Sequence, residues 1–338
     1  MELTETGAYH PIFPLIPPSE LKRQIRINKE GMRKDLSPIF ESKGIFCPEM
    51  AFTGGVAAQL KSLEYEWTVA DDGNLDYYGL ANPYNKIYRQ NGFCVFLRSR
   101  LWSDRFALDN NNWKHGKDFV DQLVDSLMNW IGRDDGYVII ALDGETFGHH
   151  QKKFNKKFLE EMFDALEQAQ SEPENEIATA HLSDIFQMSG ANIAENPKFL
   201  QVSQFIPPSS WSTSRKDIER KDYFAWWKSK GNEIQRLHWL LLNLVLDCVR
   251  NTEGNDELER DMDKAMYSCQ FWWSNIWKFN KNDPNPGEIY KGVFNLRRIL
   301  HKATKNDNNK EKLEQGEKIL RQLVTEIEKN RHIFLGEF

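Results

Sequence analysis

The stretch from Tyr137 to His150, YVIIALDGETFGHH, constrains the fold more than any other part of the chain. It begins with the apolar run Tyr137 to Leu142, preceded by Asp134, Asp135 and Gly136. A short continuous apolar run after a turn signal predicts a strand buried on both faces. The character then changes at once, to Asp143, Gly144, Glu145, Thr146, Phe147, Gly148, His149 and His150. Acids and histidines just past the C-terminal end of a buried parallel strand are what an α/β enzyme presents at its active-site face. Ordinary loop residues after a strand have the same composition, so a second stretch is needed to decide between the two.

Other strand and helix signals alternate with this one. Gly44 to Pro48 is a short apolar strand ending at Glu49, Tyr65 to Ala70 ends at Asp71 and Asp72, and Phe93 to Leu97 ends at Arg98. Thr6 to Ile12 and Ile177 to Leu182 complete six expected strands, while Gly73 to Gln90 reads as a polar, aromatic loop or small subdomain. Helical spacing joins Phe119, Leu123, Val124, Leu127 and Ile131, and again Phe158, Leu159, Met162, Phe163 and Leu166. Strands separated by such helices imply a parallel sheet. Polar residues follow several strand ends, which fits a closed or nearly closed barrel better than an open sheet. From about Asp222 the pattern is helical only, with one strongly apolar helix through Ile234, Leu237, Leu241, Leu244, Val245 and Cys248. The expected fold class is therefore α/β, with barrel residues 1–215 followed by an α-helical region, 216–338. A Pro/Ser-rich segment, Phe205 to Ser214, crosses between them and carries Trp211.

Size and charge narrow the function. The 338 residues have room for one large domain or a barrel with an appendage. A net charge of −6 argues against nucleic acid or an anionic membrane as partner. No apolar segment is long enough to span a bilayer, and the first residues, MELTETGAYHP, lack a basic n-region and an apolar h-region. Cys47, Cys94, Cys248 and Cys269 lie far apart without metal-type spacing, as expected of reduced thiols in a cytoplasmic protein. Oligomeric state is not set by any of these features. The eleven tryptophans are more telling, because sugar sites need flat apolar faces for pyranose rings.

The second informative stretch is IFCPEMAF, in which Glu49 follows a proline and is flanked by Phe46, Met50 and Phe52. Glu49 and Asp143 are then two carboxylates, each after an apolar strand, with Glu145 as a third acid. A pair of acids is the minimum equipment for glycoside hydrolysis. One acts as nucleophile, and the other protonates the leaving oxygen and later activates water. An acid at a helix start that complements the dipole is the alternative for Glu49. His10, before a proline turn, is placed to hydrogen-bond a sugar hydroxyl or a backbone carbonyl. His149 and His150 are neighbours whose side chains point apart, so no metal is expected. Thr53-Gly54-Gly55 lacks the lysine of a phosphate loop, and no cofactor is expected.

Together these stretches resemble glycoside hydrolase family 57, retaining enzymes that act on α-glucans such as starch and glycogen. Thr4 to Pro17, TETGAYHPIFPLIP, is similar to the family's second motif, GIFCPEMAF to its third and ALDGETFGHH to its fourth. The resemblance implies that Glu49 is the nucleophile and Asp143 the general acid/base, with Glu145 and His149 in supporting roles. Met266 to Trp273, MYSCQFWW, is similar to the fifth motif, whose aromatic residue reaches the sugar site. It offers Phe271, Trp272 and Trp273 for that role, and His10 and Trp211 join Trp272 and Trp273 as expected substrate-binding residues. The family fold implied is an incomplete (β/α)7 barrel followed by a helical region. The family's first motif, of His-Gln-Pro type, does not occur, and the chain is expected to lack the barrel's opening strand.

Three functions remain open at this stage. The first is a retaining α-glycosidase or α-glucan transferase, with the two carboxyl groups roughly 5 Å apart. The second is a non-catalytic carbohydrate-binding relative. The third is a metal-dependent deacetylase or mannosidase built on Asp71, His149 and His181.

Overall fold

The strands form between Gly44 and Ser203, where short runs such as WTVAD and FCVFLR combine aromatic and β-branched residues. The computed structural model describes residues 2–73, 75–78, 85–108, 113–131, 136–148, 152, 156–172, 177–188, 200–203, 205–252, 254–276, 286–305 and 309–334. In chain order these contain α1 (Pro18–Asp35), β1 (Gly44–Ile45), α2 (Gly54–Ser62), β2 (Trp67–Asp71), β3 (Lys86–Gln90) and β4 (Phe93–Arg98). There follow α3 (Arg100–Leu108), α4 (Gly116–Ile131), α5 (Lys156–Ser171), α6 (Leu182–Met188), β5 (Leu200–Ser203) and α7 (Arg215–Glu219). The last part holds α8 (Glu233–Arg250), α9 (Asp256–Lys264), α10 (Cys269–Trp272), α11 (Pro286–Ala303) and α12 (Lys310–Lys329). Packing divides the chain into two compact units, one of residues 1–5, 41–46 and 52–211, the other of 6–40, 47–51 and 212–338.

The first unit is a mixed α/β structure around a five-stranded sheet of order β1-β2-β4-β3-β5. Strands β2 and β4, WTVAD and FCVFLR, are buried at every position and pair in parallel, with Asp71 opposite Arg98. The expected all-parallel sheet is corrected at β3, which runs antiparallel to β4. The cause is a two-residue turn at Asn91 and Gly92, with φ of 53° and 76°. Asn-Gly accepts two left-handed residues in succession and so closes a tight hairpin. This hairpin lies in the stretch expected to be loop, and Lys86–Gln90 and Leu200–Ser203 are strands that pattern reading missed.

Three expected strands are absent. Residues 6–12 run through a turn, because Pro11 and Pro14 have no N–H to give to a ladder and His10 has φ of 55°. Residues 177–181 are largely exposed, so no burial holds them in a sheet, and Leu182 opens α6. Tyr137 to Leu142 is the third. Its apolar residues are explained by packing: Val138, Ile140 and Leu142 lie against the aromatic cluster of Trp102, Phe106, Trp113, Phe119 and Phe158. The alternate residues face polar partners. Ile139 O accepts from the Ser99 N–H (2.8 Å), the Ala141 N–H donates to Ser103 Oγ (3.2 Å), and Ala141 O accepts from Arg98 Nε (3.0 Å). An extended segment whose polar groups are met by two side chains and a single backbone N–H needs no neighbouring strand.

The second unit is helical. Helix α8 starts at Asn232, whose side chain accepts from the Gln235 N–H (3.1 Å), and α11 and α12 pack along its buried face of Ile234, Leu237, Leu241 and Val245. Helix α1 joins this unit through charge. Arg23 makes two bonds to Asp263 (2.7 and 2.8 Å), and Arg250 makes two to Glu20 (2.9 and 2.7 Å) and one to Asp263 (2.7 Å). Forked guanidinium–carboxylate pairs of this kind are geometrically specific. Helix α9 ends at Lys264 and α10 begins at Cys269.

Within this unit His238 is fully buried, with Nε2 3.1 Å from Gln270 Oε1. The Gln270 amide nitrogen is already committed to the carbonyls of Ala265 and Tyr267, so its oxygen accepts from the imidazole. Desolvation lowers the His238 pKa from its ordinary 6.5 to about 4. The unfolded chain therefore binds this proton between those values while the folded protein does not. Stability is expected to fall as pH drops from about 6.5 to about 4, by on the order of 3 kcal/mol. Urea melts across that range check it, and the slope should be shallower in His238→Gln.

Candidate active site

Each expected site residue among the described ones is positioned by its own local structure, and the two carboxylates belong to different units. Glu49 is in the second. Residues Pro48–Met50 form a single 3-10 turn in which Pro48 and Met50 are buried. Glu49 has φ 58° and ψ 18°, and Met50 has φ 49°. Two successive left-handed non-glycine residues are costly, and backbone strain of this kind collects at functional sites. The Glu49 side chain is 15% exposed, and its Oε1 lies 3.9 Å from Nδ1 of His10. His10 is itself left-handed and is held twice by Ser268. Its carbonyl accepts the Ser268 N–H (3.2 Å), and its Nδ1 lies 3.0 Å from Ser268 Oγ. The structure thus brings His10 and Glu49 together.

Next to Ser268 is Cys269, the exposed member of the four free cysteines; Cys47, Cys94 and Cys248 are buried. Desolvation raises the Cys269 pKa, the Glu49 charge raises it further, and a hydrogen bond from Ser268 opposes both. A raised pKa keeps the thiol protonated and a poor nucleophile. Trp272 stacks on Trp226, with centroids 4.1 Å apart and planes 14° from parallel, while Trp273 meets Tyr267 edge-on at 6.3 Å. Both tryptophans are partly exposed. Phe271 is buried and stacked on Trp239 at 3.9 Å, so the sequence alternative of Phe271 as the aromatic reaching a sugar is corrected. Trp226 and Ser268 were missed by pattern reading. The Trp226–Trp227 pair was a visible signal for the first, whereas nothing local marks the second.

Asp143 and Glu145 are in the first unit. Asp143 precedes the 3-10 turn Gly144–Thr146, and its carbonyl accepts the Thr146 N–H (3.0 Å). Thr146 is buried, Phe147 packs 5.8 Å from Phe106, and Asp143 and Glu145 are exposed. The turn is thus anchored by buried Thr146 and by Phe147, and its acids face outward. His149 lies outside the described residues. Behind the turn stands Arg98, 5% exposed in its side chain. Its three nitrogens reach Asp71 (2.6 Å), Asp104 (2.9 Å) and Ala141 O (3.0 Å), and the guanidinium lies 5.8 Å from the Trp211 ring centroid. Trp211 also meets Phe46 edge-on at 6.3 Å, and its carbonyl accepts from Arg100 (2.9 Å).

Two further carboxylates close this cluster. Asp71, 1% exposed, accepts from Arg98 and from Arg100 (2.5 Å), and Oδ1 also takes the Gly73 N–H (2.9 Å). An aspartate occupied by two guanidinium groups has no oxygen left over for a metal. His181 pairs with Asp184 at 3.4 Å on the exposed start of α6. Both facts count against the metal-dependent reading. Asp72 accepts the Arg100 N–H (2.8 Å), and burial, opposed by that bond and reinforced by Asp71, pushes its pKa up to about 6.

No curated protein matches the sequence. Several crystal structures share the fold, among them three enzymes. The branching enzyme of Pyrococcus horikoshii superposes with a TM-score of 0.65 at 15% identity, over 99% of this chain and 71% of that one. The 4-α-glucanotransferase of Thermococcus litoralis gives 0.61 at 18%, over 90% and 48%. An α-amylase of Thermotoga maritima gives 0.58 at 16%, over 100% and 73%. The family model of glycosyl hydrolase family 57 matches residues 1–200, a stretch that includes both Glu49 and Asp143. The chain belongs to glycosyl hydrolase family 57.

Proposed function

We propose that the protein is a retaining glycoside hydrolase acting on α-glucan, with glucan transfer as the alternative outcome of the same intermediate. The carrying observation is the family match over residues 1–200, which contains both carboxylates of the mechanism. The substrate class follows the printed activities of the fold relatives, a branching enzyme, a 4-α-glucanotransferase and an α-amylase. Glu49 attacks the anomeric carbon. Asp143 protonates the departing oxygen and then deprotonates the water or sugar hydroxyl that resolves the glycosyl-enzyme. Glu145, His149, His10, Trp211, Trp272 and Trp273 hold the glucan. The tryptophans supply flat apolar faces, and the polar groups fix its orientation.

The local structure supports these roles. Glu49 is held in a strained turn beside an imidazole, and strain tolerated at a carboxylate is more useful to chemistry than to folding. In the wider architecture we propose the family's incomplete (β/α)7 barrel over 1–215 and a helical region over 216–338. Among the described residues no helix is long and apolar enough to cross a membrane. We place the protein in the cytoplasm, because its four cysteines are free, and expect neither nucleic acid nor membrane as partner. Incubation with maltooligosaccharides, starch and glycogen tests the function. Shorter products with net new reducing ends indicate hydrolysis, redistributed chain lengths without them indicate transfer, and unchanged glucan in all three leaves only the non-catalytic reading.

A further inference from the structure

We propose that Gln235 is a positioning residue for glucan binding: its buried amide ties the backbone of Trp226 to that of Phe271 and so sets the stack of Trp226 on Trp272. The Gln235 side chain is fully buried on α8. Its amide nitrogen donates to Trp226 O (2.8 Å) and to Phe271 O (2.9 Å), and its oxygen accepts the Ser229 N–H (2.7 Å). The partners force this orientation. Backbone carbonyls only accept and a backbone N–H only donates, so the NH2 group must face the carbonyls and the oxygen must face Ser229. Both amide hydrogens are thereby spent on two segments that are distant in the chain. One carbonyl belongs to the residue that carries the first indole, the other to the residue just before the second. The two rings lie 4.1 Å apart with planes 14° from parallel.

Neighbouring bonds support the same join. Asn275 Nδ2 donates to Ala225 O (2.7 Å), Asn232 Nδ2 to Ser274 O (2.9 Å) and Trp239 Nε1 to Trp227 O (2.8 Å). Gln235 differs from Asn275 in gripping both segments from a third element, the long helix α8. The other end of α10 is tied toward the carboxylate. The Phe271 and Trp272 N–H groups donate to Ser268 O (2.9 and 3.3 Å), and the Ser268 N–H donates to the His10 carbonyl (3.2 Å). Trp272 is thus set between Gln235 and the His10–Glu49 pair, all within the second unit. A ring that already stands in place binds a sugar face without the cost of ordering it. The role in binding rests on Trp272 holding glucan, as proposed above. The hold on the stack does not.

The test uses the full chain labelled with fluorotryptophan. Fluorine NMR assigns Trp272 by the signal missing from Trp272→Phe. Gln235→Met fills a similar volume without a donor. It should shift the Trp272 signal and raise KM for maltooligosaccharide about tenfold with kcat little changed, the worth of ordering one side chain. Gln235→Glu keeps the shape but supplies at most one hydrogen, so it should fall between wild type and Gln235→Met in both readouts. A smaller folded fraction lowers apparent kcat and leaves KM alone, so the rise in KM separates positioning from general destabilisation. A Trp272 signal at its wild-type position in either variant overturns the proposal, as does a loss of kcat with unchanged KM. If the methionine variant fails to fold, the isosteric glutamate variant decides alone. Wild-type KM in Trp272→Ala would instead defeat the reading of Trp272 as sugar-binding and leave the fluorine result standing.

Discussion

Glu49→Ala should lose turnover by on the order of 10⁴-fold or more, and azide should restore part of it with a glycosyl azide of inverted anomeric configuration. Truncation leaves room where the carboxylate stood, beside His10. A small anion entering there attacks the anomeric carbon once, so the configuration inverts. Asp143→Ala should behave differently. With an activated leaving group Glu49 still forms the glycosyl-enzyme, and azide then attacks from the opposite face to give net retention. Anomeric analysis of the two products by NMR assigns the roles separately. A retained product from Glu49→Ala, or an inverted one from Asp143→Ala, would exchange or remove them. Stability gives an independent reading of the same position. At φ 58° a side chain costs energy that glycine avoids. Glu49→Gly should therefore be more stable than Glu49→Ala by about 1 kcal/mol in urea melts, with both inactive. A carboxylate kept where glycine folds better is a residue retained for chemistry.

How much of this was legible in the sequence depends on the range of the interactions involved. Helices α4, α5 and α8 were readable because a 3.6-residue apolar stripe is a local property, fixed by each helix's own face. Strands β2 and β4 were readable because they are buried on both faces. Tyr137 to Leu142 shows where the signal is degenerate. An apolar run records burial, and packing against Trp102, Phe106 and Phe119 satisfies it as well as a ladder would. The hairpin was marked by Asn91-Gly92, but the polar composition around it outweighed the turn signal. Glu49, Asp143 and Glu145 could be proposed as site residues because each sits in a short recognisable motif. Ser268 could not, because it meets His10 across 258 residues and nothing near either residue announces the other. Arg98 was seen only as the end of a strand. Its function as a junction depends on Asp71, Asp104, Ala141 and Trp211, which come from four separate parts of the chain.

Arg98 is where the largest loss of stability is expected. Arg98→Met should lower the unfolding free energy by about 3 kcal/mol, because it leaves the buried Asp71 with one guanidinium partner instead of two and strands the Ala141 carbonyl. Asp104 is 43% exposed and adds little of this, since water replaces its partner. Arg98→Lys should lie between wild type and Arg98→Met. Lysine keeps the charge but cannot send three N–H groups in fixed directions to Asp71, Asp104 and Ala141 at once. Asp71→Asn in the Arg98→Met background should cost less than in the wild type, with a coupling of about 1–3 kcal/mol. Catalysis should follow the same order. Ala141 is two residues from Asp143, and among the described residues no strand pairs with the segment between, so the Arg98 bond is part of what sets the position of the proposed acid. A displacement of about 1 Å there is enough to cost about 100-fold in kcat. Urea melts and kcat on an activated glucoside, taken across wild type, Arg98→Lys and Arg98→Met, decide it. Parallel losses of stability and turnover support the junction. A lysine variant equal to wild type in both would mean that charge alone, and not the forked geometry, holds the Asp143 turn.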